Sequence, residues 1–171
     1  MASNDVNEQT ATADPGTTRV GRQRPCFTWK YKHGVDGQGR IQFPVKWKMR
    51  VAEEELVAVV TQHGTTGKQF LMVLPAEQFD LFVSRVRRGN ESFTNANSMA
   101  QRHDWAERMM GIDLDGAGRF TLPGELRKPA QLGKEALLVG CIDWFEVWNP
   151  DDYDEARRDE RVLLKSMAPA P

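Results

Sequence analysis

Residues 114–128 read LDGAGRFTLPGELRK, and residues 35–49 read VDGQGRIQFPVKWKM. The two stretches align without a gap, with the second copy 79 residues after the first. They share an Asp-Gly-x-Gly-Arg motif, alternating apolar residues, a proline, and a basic residue four positions after that proline. An ordered series of matches at one spacing predicts that the chain contains two copies of the same structural unit.

The similarity between the two copies continues downstream. Two apolar segments follow in each copy, LVAVVT and FLMVL in the first and ALLVGC and FEVW in the second. Each copy then closes with a helix that begins at a proline, Pro75 or Pro150, because proline suits the first helical position. We therefore expect each copy to form a short strand, a brief helical turn, two strands and a closing helix.

This order of elements predicts a mainly β fold with short helices, in the α+β class. The expected boundaries are residues 25–90 for the first repeat, 91–110 for a connecting segment with one more strand or helix, and 111–165 for the second repeat. Residues 1–24 are polar and nearly free of large apolar groups, so we expect them to form a disordered arm. Residues 166–171 are expected to form a loose tail.

The composition limits the class of protein. Apolar residues make up 40% and charged residues 27% of the 171 residues, which is typical of one globular domain or one domain built from two halves. No apolar run approaches the roughly 20 residues that span a bilayer, and the start of the chain lacks the apolar core of a secretory signal. The two cysteines, Cys26 and Cys141, do not make a disulfide framework. We expect a cytoplasmic protein that does not bind membranes.

The net charge of −1 conceals an uneven distribution of charge along the chain. Between Pro15 and Arg50 there are nine basic residues and one acid, whereas from Asp143 to Arg161 there are eight acids and three arginines. Clustered Lys and Arg raise the local potential whatever the total charge, which favours one face that meets a polyanion. The alternative interpretation is two solvated surfaces of opposite sign.

The Asp-Gly-x-Gly-Arg motif predicts a tight turn that leads into a strand. A dinucleotide-binding loop requires a third glycine where Gln42 and Thr121 stand, and a calcium loop fails at Ala117 and Gly124. Aspartate bonds its own backbone two residues on, and glycine permits a positive φ. The turn-forming residues are therefore Asp36, Gly37, Gly39, Asp115, Gly116 and Gly118.

The arginine that ends each motif is the candidate binding residue. Two related turns place Arg40 and Arg119 on one face, with Lys48 and Arg127 each four residues past the shared proline. Arginine offers a planar fork that matches a phosphate or the edge of guanine with two hydrogen bonds. A plain surface turn with an exposed arginine is the alternative for either copy taken singly.

These residues resemble the SpoVT-AbrB swapped-hairpin DNA-binding domain. Two such domains in one chain, each followed by two strands and a helix, resemble the MraZ family of bacterial transcriptional regulators. The resemblance covers about residues 27–160 and is strongest over residues 114–156. It implies a double-split β-barrel in which the two repeats pair as a pseudo-dimer.

The resemblance also implies a function and its residues. It implies a nucleoid-associated, ring-like homo-oligomer that binds repeated double-stranded DNA sites in the promoter of the division and cell-wall gene cluster. The positions that it carries over as the family's motif are Asp36, Arg40, Asp115 and Arg119. The secondary DNA contacts that it implies are Lys48, Arg127 and Lys128.

Other functions have weaker signals in the sequence. The three histidines share no metal-ligand spacing, neither cysteine belongs to a Cys-x-x-Cys pair, and no Ser-His-Asp set stands in a catalytic context. We therefore expect no enzyme activity, no cofactor, no metal and no small-molecule substrate. The second hypothesis is a protein-interaction scaffold, similar to the antitoxin relatives of this fold that bind a partner protein. Trp144 and Trp148 alternate with apolar neighbours, which favours core or subunit contacts.

Overall fold

A computed structural model describes residues 26–51, 55–89 and 95–167. The predicted arm, residues 1–24, lies outside the described residues. Within them the chain forms eight strands and five helices, in the order β1 (Lys30–Gly34), β2 (Arg40–Gln42), α1 (Val45–Val51), β3 (Leu56–Gln62), β4 (Gln69–Pro75), α2 (Ala76–Gly89), α3 (Ala96–Glu107), β5 (Met109–Ile112), β6 (Arg119–Thr121), α4 (Gly124–Arg127), β7 (Glu135–Gly140), β8 (Phe145–Trp148) and α5 (Pro150–Met167).

Strands of the two repeats are exchanged in an antiparallel six-stranded sheet of order β1-β7-β8-β4-β3-β5. β1 of the first repeat pairs with β7 of the second, with Lys32 opposite Leu137. β5 begins 79 residues after β1 and pairs with β3 of the first repeat. The order reads the same from both ends once equivalent strands are matched, so the repeats are related as a pseudo-dimer within one sheet.

The predicted fold class is confirmed: strands with short helices form a split β-barrel from two repeats. The connecting segment contains both a helix, α3, and the start of a strand, β5, where the sequence predicted one or the other. Pro44 and Pro123 stand just before the short helices rather than inside them. Of the two closing helices, α5 begins at Pro150 as predicted and extends to Met167, whereas Pro75 ends β4 and α2 begins at the next residue. No helix in the described part of the chain is long and apolar enough to cross a membrane.

A separate two-stranded ribbon is formed by β2 and β6, one strand from each repeat. Ile41 lies opposite Phe120 in its register, and both side chains are fully buried. Side chains alternate along a strand, so the residues on either side of this pair lie on the other face of the ribbon. Those outer residues are Arg40, Gln42, Arg119 and Thr121.

The ribbon is anchored on an aromatic core that draws from both repeats. The Phe145 ring lies 5.3 Å from Phe27, 5.4 Å from Phe43 and 5.4 Å from Trp47, measured between ring centroids. Phe120 completes the cluster at 6.3 Å from Phe145. Because these rings pack together only when the repeats are docked, the position of the ribbon depends on both halves of the chain.

A second, smaller core lies on the opposite face of the sheet, beneath α5. Phe70 and Trp148 stack there with ring centroids 4.1 Å apart, and Tyr153 of α5 meets Trp148 edge-on. Trp148 is buried, as predicted, while Trp144 is half-buried and its indole reaches the Glu146 carboxylate at 3.5 Å. α5 therefore covers the face of the sheet that the ribbon does not.

Replacing Phe145 by alanine tests the shared core. The ring is fully buried among four aromatic neighbours, so we expect Phe145→Ala to lower the free energy of unfolding by about 3–5 kcal/mol. Urea unfolding followed by tryptophan fluorescence measures the change. Lys134→Ala, at an exposed loop position, is the matched control and is expected to shift the value by less than about 0.5 kcal/mol. Equal effects of the two substitutions would contradict the shared core.

Candidate nucleic-acid interface

The first turn, residues 36–40, is organised by the Asp36 carboxylate. Its Oδ1 accepts hydrogen bonds from the backbone N–H groups of Gln38 and Arg40, each at 2.9 Å. Its Oδ2 accepts from the Arg40 Nε at 2.6 Å. Gly39 adopts a φ of 79°, a left-handed conformation that favours glycine. The carboxylate thus closes the turn and orients the arginine in one arrangement.

The second turn, residues 115–119, repeats this geometry. Asp115 Oδ1 accepts from the backbone N–H groups of Ala117 and Arg119 at 2.9 Å, and Oδ2 accepts from the Arg119 Nε at 2.9 Å. The Arg119 Nη2 also lies 2.8 Å from Oδ2. Gly118 has a φ of 71°. Asp115 and Gly118 thus hold the second turn with the same bonds and the same backbone conformation that Asp36 and Gly39 give the first.

Both aspartates are held as carboxylates by these bonds. The backbone N–H of Arg40, and then its side chain, lower the pKa of Asp36 from 3.8 to about 2. The equivalent bonds from Arg119 lower the pKa of Asp115. At neutral pH each turn is therefore a closed ion pair, which leaves the outer edge of the guanidinium free to meet a ligand.

Each turn is also contacted by the opposite repeat. The Phe43 N–H donates to the Gly118 carbonyl oxygen at 3.0 Å, and the Leu122 N–H donates to the Gly39 carbonyl oxygen at 2.9 Å. Lys48 packs over Gly118, and the Arg127 guanidinium packs over Gly39. The structure thus brings Lys48 to the second turn and Arg127 to the first, across the repeats.

Comparison with known proteins places this arrangement in a family. Residues 110–162 match the family profile described as "MraZ protein, putative antitoxin-like". The chain is 30% identical over 135 residues to the "Transcriptional regulator MraZ" of Lachnoclostridium phytofermentans, covering 78% of this chain and 88% of that protein. It is 28% identical to the protein of the same name from Desulfitobacterium hafniense, over 83% of this chain and 94% of that protein. The chain belongs to the MraZ family. The resemblance predicted from the two motifs is confirmed.

In this MraZ-family chain, the three predicted secondary DNA contacts, Lys48, Arg127 and Lys128, lie in different environments. Lys48 Nζ donates to the Ala117 carbonyl oxygen at 3.0 Å, so it has a partner inside the fold. Arg127 is half-buried, with its Nε buried and without a hydrogen-bond partner among the described residues. Lys128, the third predicted secondary contact, is exposed just after α4.

Two further residues of the interface were not singled out from the sequence. Gln42 donates from Nε2 to the Gly118 carbonyl oxygen at 2.9 Å, and Thr121 is exposed on the equivalent strand. The signal that identifies them is the alternation of each short strand, which puts the residue two after each arginine on the same face. In the sequence, these two positions excluded a glycine-rich dinucleotide loop and indicated nothing more.

Several polar groups outside the ribbon have structural partners. Asn149 accepts from the Asp151 N–H at the start of α5, and Asp152 forms a salt bridge of 2.9 Å with Lys68. Burial raises the pKa of the Cys141 thiol to about 12, which keeps it neutral. Among the described residues no group of three or more His, Cys, Asp or Glu is placed to hold a metal ion.

Glycine substitutions test the turn geometry. A Cβ at Gly118 would overlap the Lys48 side chain and would require a positive φ, so we expect Gly118→Ala to cost at least about 1–2 kcal/mol of unfolding free energy. Gly116 in the same motif has open space around it, and Gly116→Ala is expected to change the value by less than about 0.5 kcal/mol. Chemical denaturation of the two variants measures the difference, and equal losses would contradict the geometry.

The pH dependence of the first turn follows from Asp36. Its pKa in the folded chain lies below its ordinary value, so its stabilising contribution is present above pH 3.8 and is lost as the pH falls through about 2. Arg40→Ala removes the side-chain bond but keeps the backbone N–H, which is the larger cause. We expect this variant to raise the Asp36 pKa only part of the way, with Asp115 unchanged. Carboxyl-carbon NMR titration reports both values, and an unshifted Asp36 would overturn the assignment.

Proposed function

We propose that this chain is a sequence-specific DNA-binding transcriptional regulator. The observation that carries the proposal is the β2–β6 ribbon, which presents Arg40 and Arg119 on one outer face from two equivalent turns. The major groove of B-form DNA admits a two-stranded β-ribbon. Relatives that are similar over most of the chain carry the name of a transcriptional regulator, which supports the same function.

The charge arrangement of each turn suits base recognition. Asp36 occupies the Nε of Arg40, which leaves the two Nη groups without a hydrogen-bond partner among the described residues. A fork of this kind pairs with the O6 and N7 atoms of guanine, and each such pair discriminates by about 1–3 kcal/mol. Asp115 binds both Nε and Nη2 of Arg119, so that the second fork is held more firmly than the first.

The proposed targets are repeated sites in the promoter of the division and cell-wall gene cluster. A single ribbon offers few base contacts, so affinity would come from several copies of the chain that engage several sites at once. A ring-like homo-oligomer on repeated double-stranded DNA, within the nucleoid, meets this requirement. No small molecule or metal is needed for this function.

A protein-interaction scaffold is the second candidate. The family description "putative antitoxin-like" and the exposed apolar residues at the end of α5 favour it. Those residues are Val162, Leu163, Leu164 and Met167. This surface lies on the helix that covers the sheet face opposite the ribbon, so that partner binding and DNA binding are separable by variants on different faces.

Removing the two arginines tests the DNA-binding site. Fluorescence anisotropy with the DNA upstream of the protein's own gene is expected to show at least about tenfold weaker binding for Arg40→Ala and Arg119→Ala, and a larger loss for the double variant. Arg108→Ala is the matched control, because Arg108 also forms an i,i+4 ion pair, with Asp104, outside the ribbon. Unchanged affinity of the double variant would refute the site.

A scrambled DNA of the same length separates the two kinds of contact. If the arginines read bases, the variants lose preference for the upstream sequence over the scrambled one. If the arginines contact only phosphates, the variants bind both DNAs more weakly by the same factor, and the preference for the upstream sequence is retained. A wild-type chain without affinity for the upstream DNA would favour the scaffold function instead.

A further inference from the structure

The basic residues that follow the two shared prolines occupy equivalent positions but have unequal contacts. Lys48 donates to the Ala117 carbonyl oxygen in the second turn. Arg127, 79 residues later, lies against Gly39 in the first turn, with its Nε buried and unpaired. Within the described ranges no carboxylate forms a salt bridge with Arg127. The Lys48 side chain therefore has a hydrogen-bond partner within the described residues, and the side chain of its equivalent, Arg127, has none.

The strand residues beside these cations show the same inequality. Gln42 donates from Nε2 to the carbonyl oxygens of Gly118 at 2.9 Å and Ala117 at 3.3 Å. Its equivalent, Thr121, makes no side-chain hydrogen bond within the described part of the chain. Among the described residues, the donors from the opposite repeat to the carbonyl groups of the second turn are therefore the Phe43 N–H, Gln42 and Lys48, whereas the first turn has only the Leu122 N–H as a donor from the opposite repeat.

We propose that Lys48 and Gln42 are positioning residues that brace the second turn and orient Arg119, and that Arg127 binds a DNA phosphate beside the first turn. This inference rests on the proposed DNA-binding function and divides the predicted secondary contacts into two roles. To reach a phosphate, Lys48 gives up its bond to the second turn. Arg127 instead gains partners for a guanidinium that has none among the described residues.

The two repeats consequently contribute differently to recognition. Arg119 is held by its aspartate and by a turn that three groups of the first repeat support. Arg40 is held by Asp36 and one crossing backbone bond, with an uncommitted cation beside it. The second turn is thus preset for base reading, while the first turn combines base reading with backbone anchoring.

The salt dependence of DNA binding separates a brace from a phosphate contact. Each phosphate contact that is lost reduces the slope of log K against log salt by about 0.9, whereas loss of a brace weakens binding without changing the slope. The experiment compares Lys48→Met with Arg127→Met in the complete chain, by anisotropy on the upstream DNA over a series of NaCl concentrations. Lys46→Met, an exposed lysine on the same short helix, is the control for simple loss of charge.

The expected results differ for the two cations. Lys48→Met should bind about three- to tenfold more weakly with the wild-type slope and with less preference for the upstream sequence, and Lys48→Arg should restore most of the affinity. Arg127→Met should bind more weakly with a slope smaller by about 0.9 and with its sequence preference intact. A reduced slope for Lys48→Met, or a wild-type slope for Arg127→Met, would overturn the assignment.

A measurement without DNA tests the brace itself. Gln42→Thr installs the residue that the other repeat already carries, so that it changes no charge and fits the ribbon. Loosening the second turn should raise the Asp115 pKa toward its ordinary value of 3.8 in both Gln42→Thr and Lys48→Met, with Asp36 unchanged as the internal reference. An Asp115 pKa equal to that of the wild type in both variants would refute the bracing role.

The two experiments fail in distinguishable ways. If the wild-type chain binds no DNA, both the proposed function and the phosphate-binding role of Arg127 are wrong. The NMR titration then still shows whether Lys48 and Gln42 brace the second turn. If the wild type binds DNA and the slopes are reversed, the function stands and the division of roles is wrong.

Discussion

The exchange of the first strand of each repeat is the constraint on which the rest of the fold depends. β1 finds its hydrogen-bonding partner in the second repeat, and β5 finds its partner in the first. Neither repeat alone can pair all of its strands or enclose the aromatic cluster around Phe145. The β2–β6 ribbon has the same dependence, because its two strands also come from different repeats. Docking of the two repeats and assembly of the β2–β6 ribbon are therefore one event.

The close approach of the repeats explains why the second glycine of each motif is required and the first is not. Gly39 and Gly118 have positive φ, and each touches a basic side chain from the opposite repeat. A Cβ at Gly37 or Gly116 would meet open space. The recurrence of the motif thus reflects two demands at one residue, a left-handed backbone and a narrow gap, which only glycine satisfies together.

Local signals in the sequence predicted the fold class and the short strand, helical turn, paired strands and closing helix of each repeat, since turns, alternation and prolines act over a few residues. They missed β1 and did not decide between a strand and a helix for the connecting segment, which contains α3 and the start of β5. The motif predicted that each aspartate bonds the backbone of its own turn. The split β-barrel was predicted from the family resemblance. The exchange of β1 and β5 was not visible in the residues themselves. Alternation tells which face of a strand is buried but not which strand it pairs with, and MMGI has little alternation to detect. The partners of Lys48 and Arg127 depend on that exchange, so their contacts could not be read from spacing.

Fusion of two repeats in one chain permits an inequality that a dimer of identical copies does not. In a symmetric dimer every substitution appears at both turns, so a residue that braces one turn must brace the other. Here Gln42 and Thr121, or Lys48 and Arg127, differ at equivalent positions while the backbone stays nearly symmetric. If the ribbon enters a DNA groove as proposed, it presents two related but unequal halves to the DNA. Such a surface suits a site without internal symmetry and would fix the direction in which the chain lies on it.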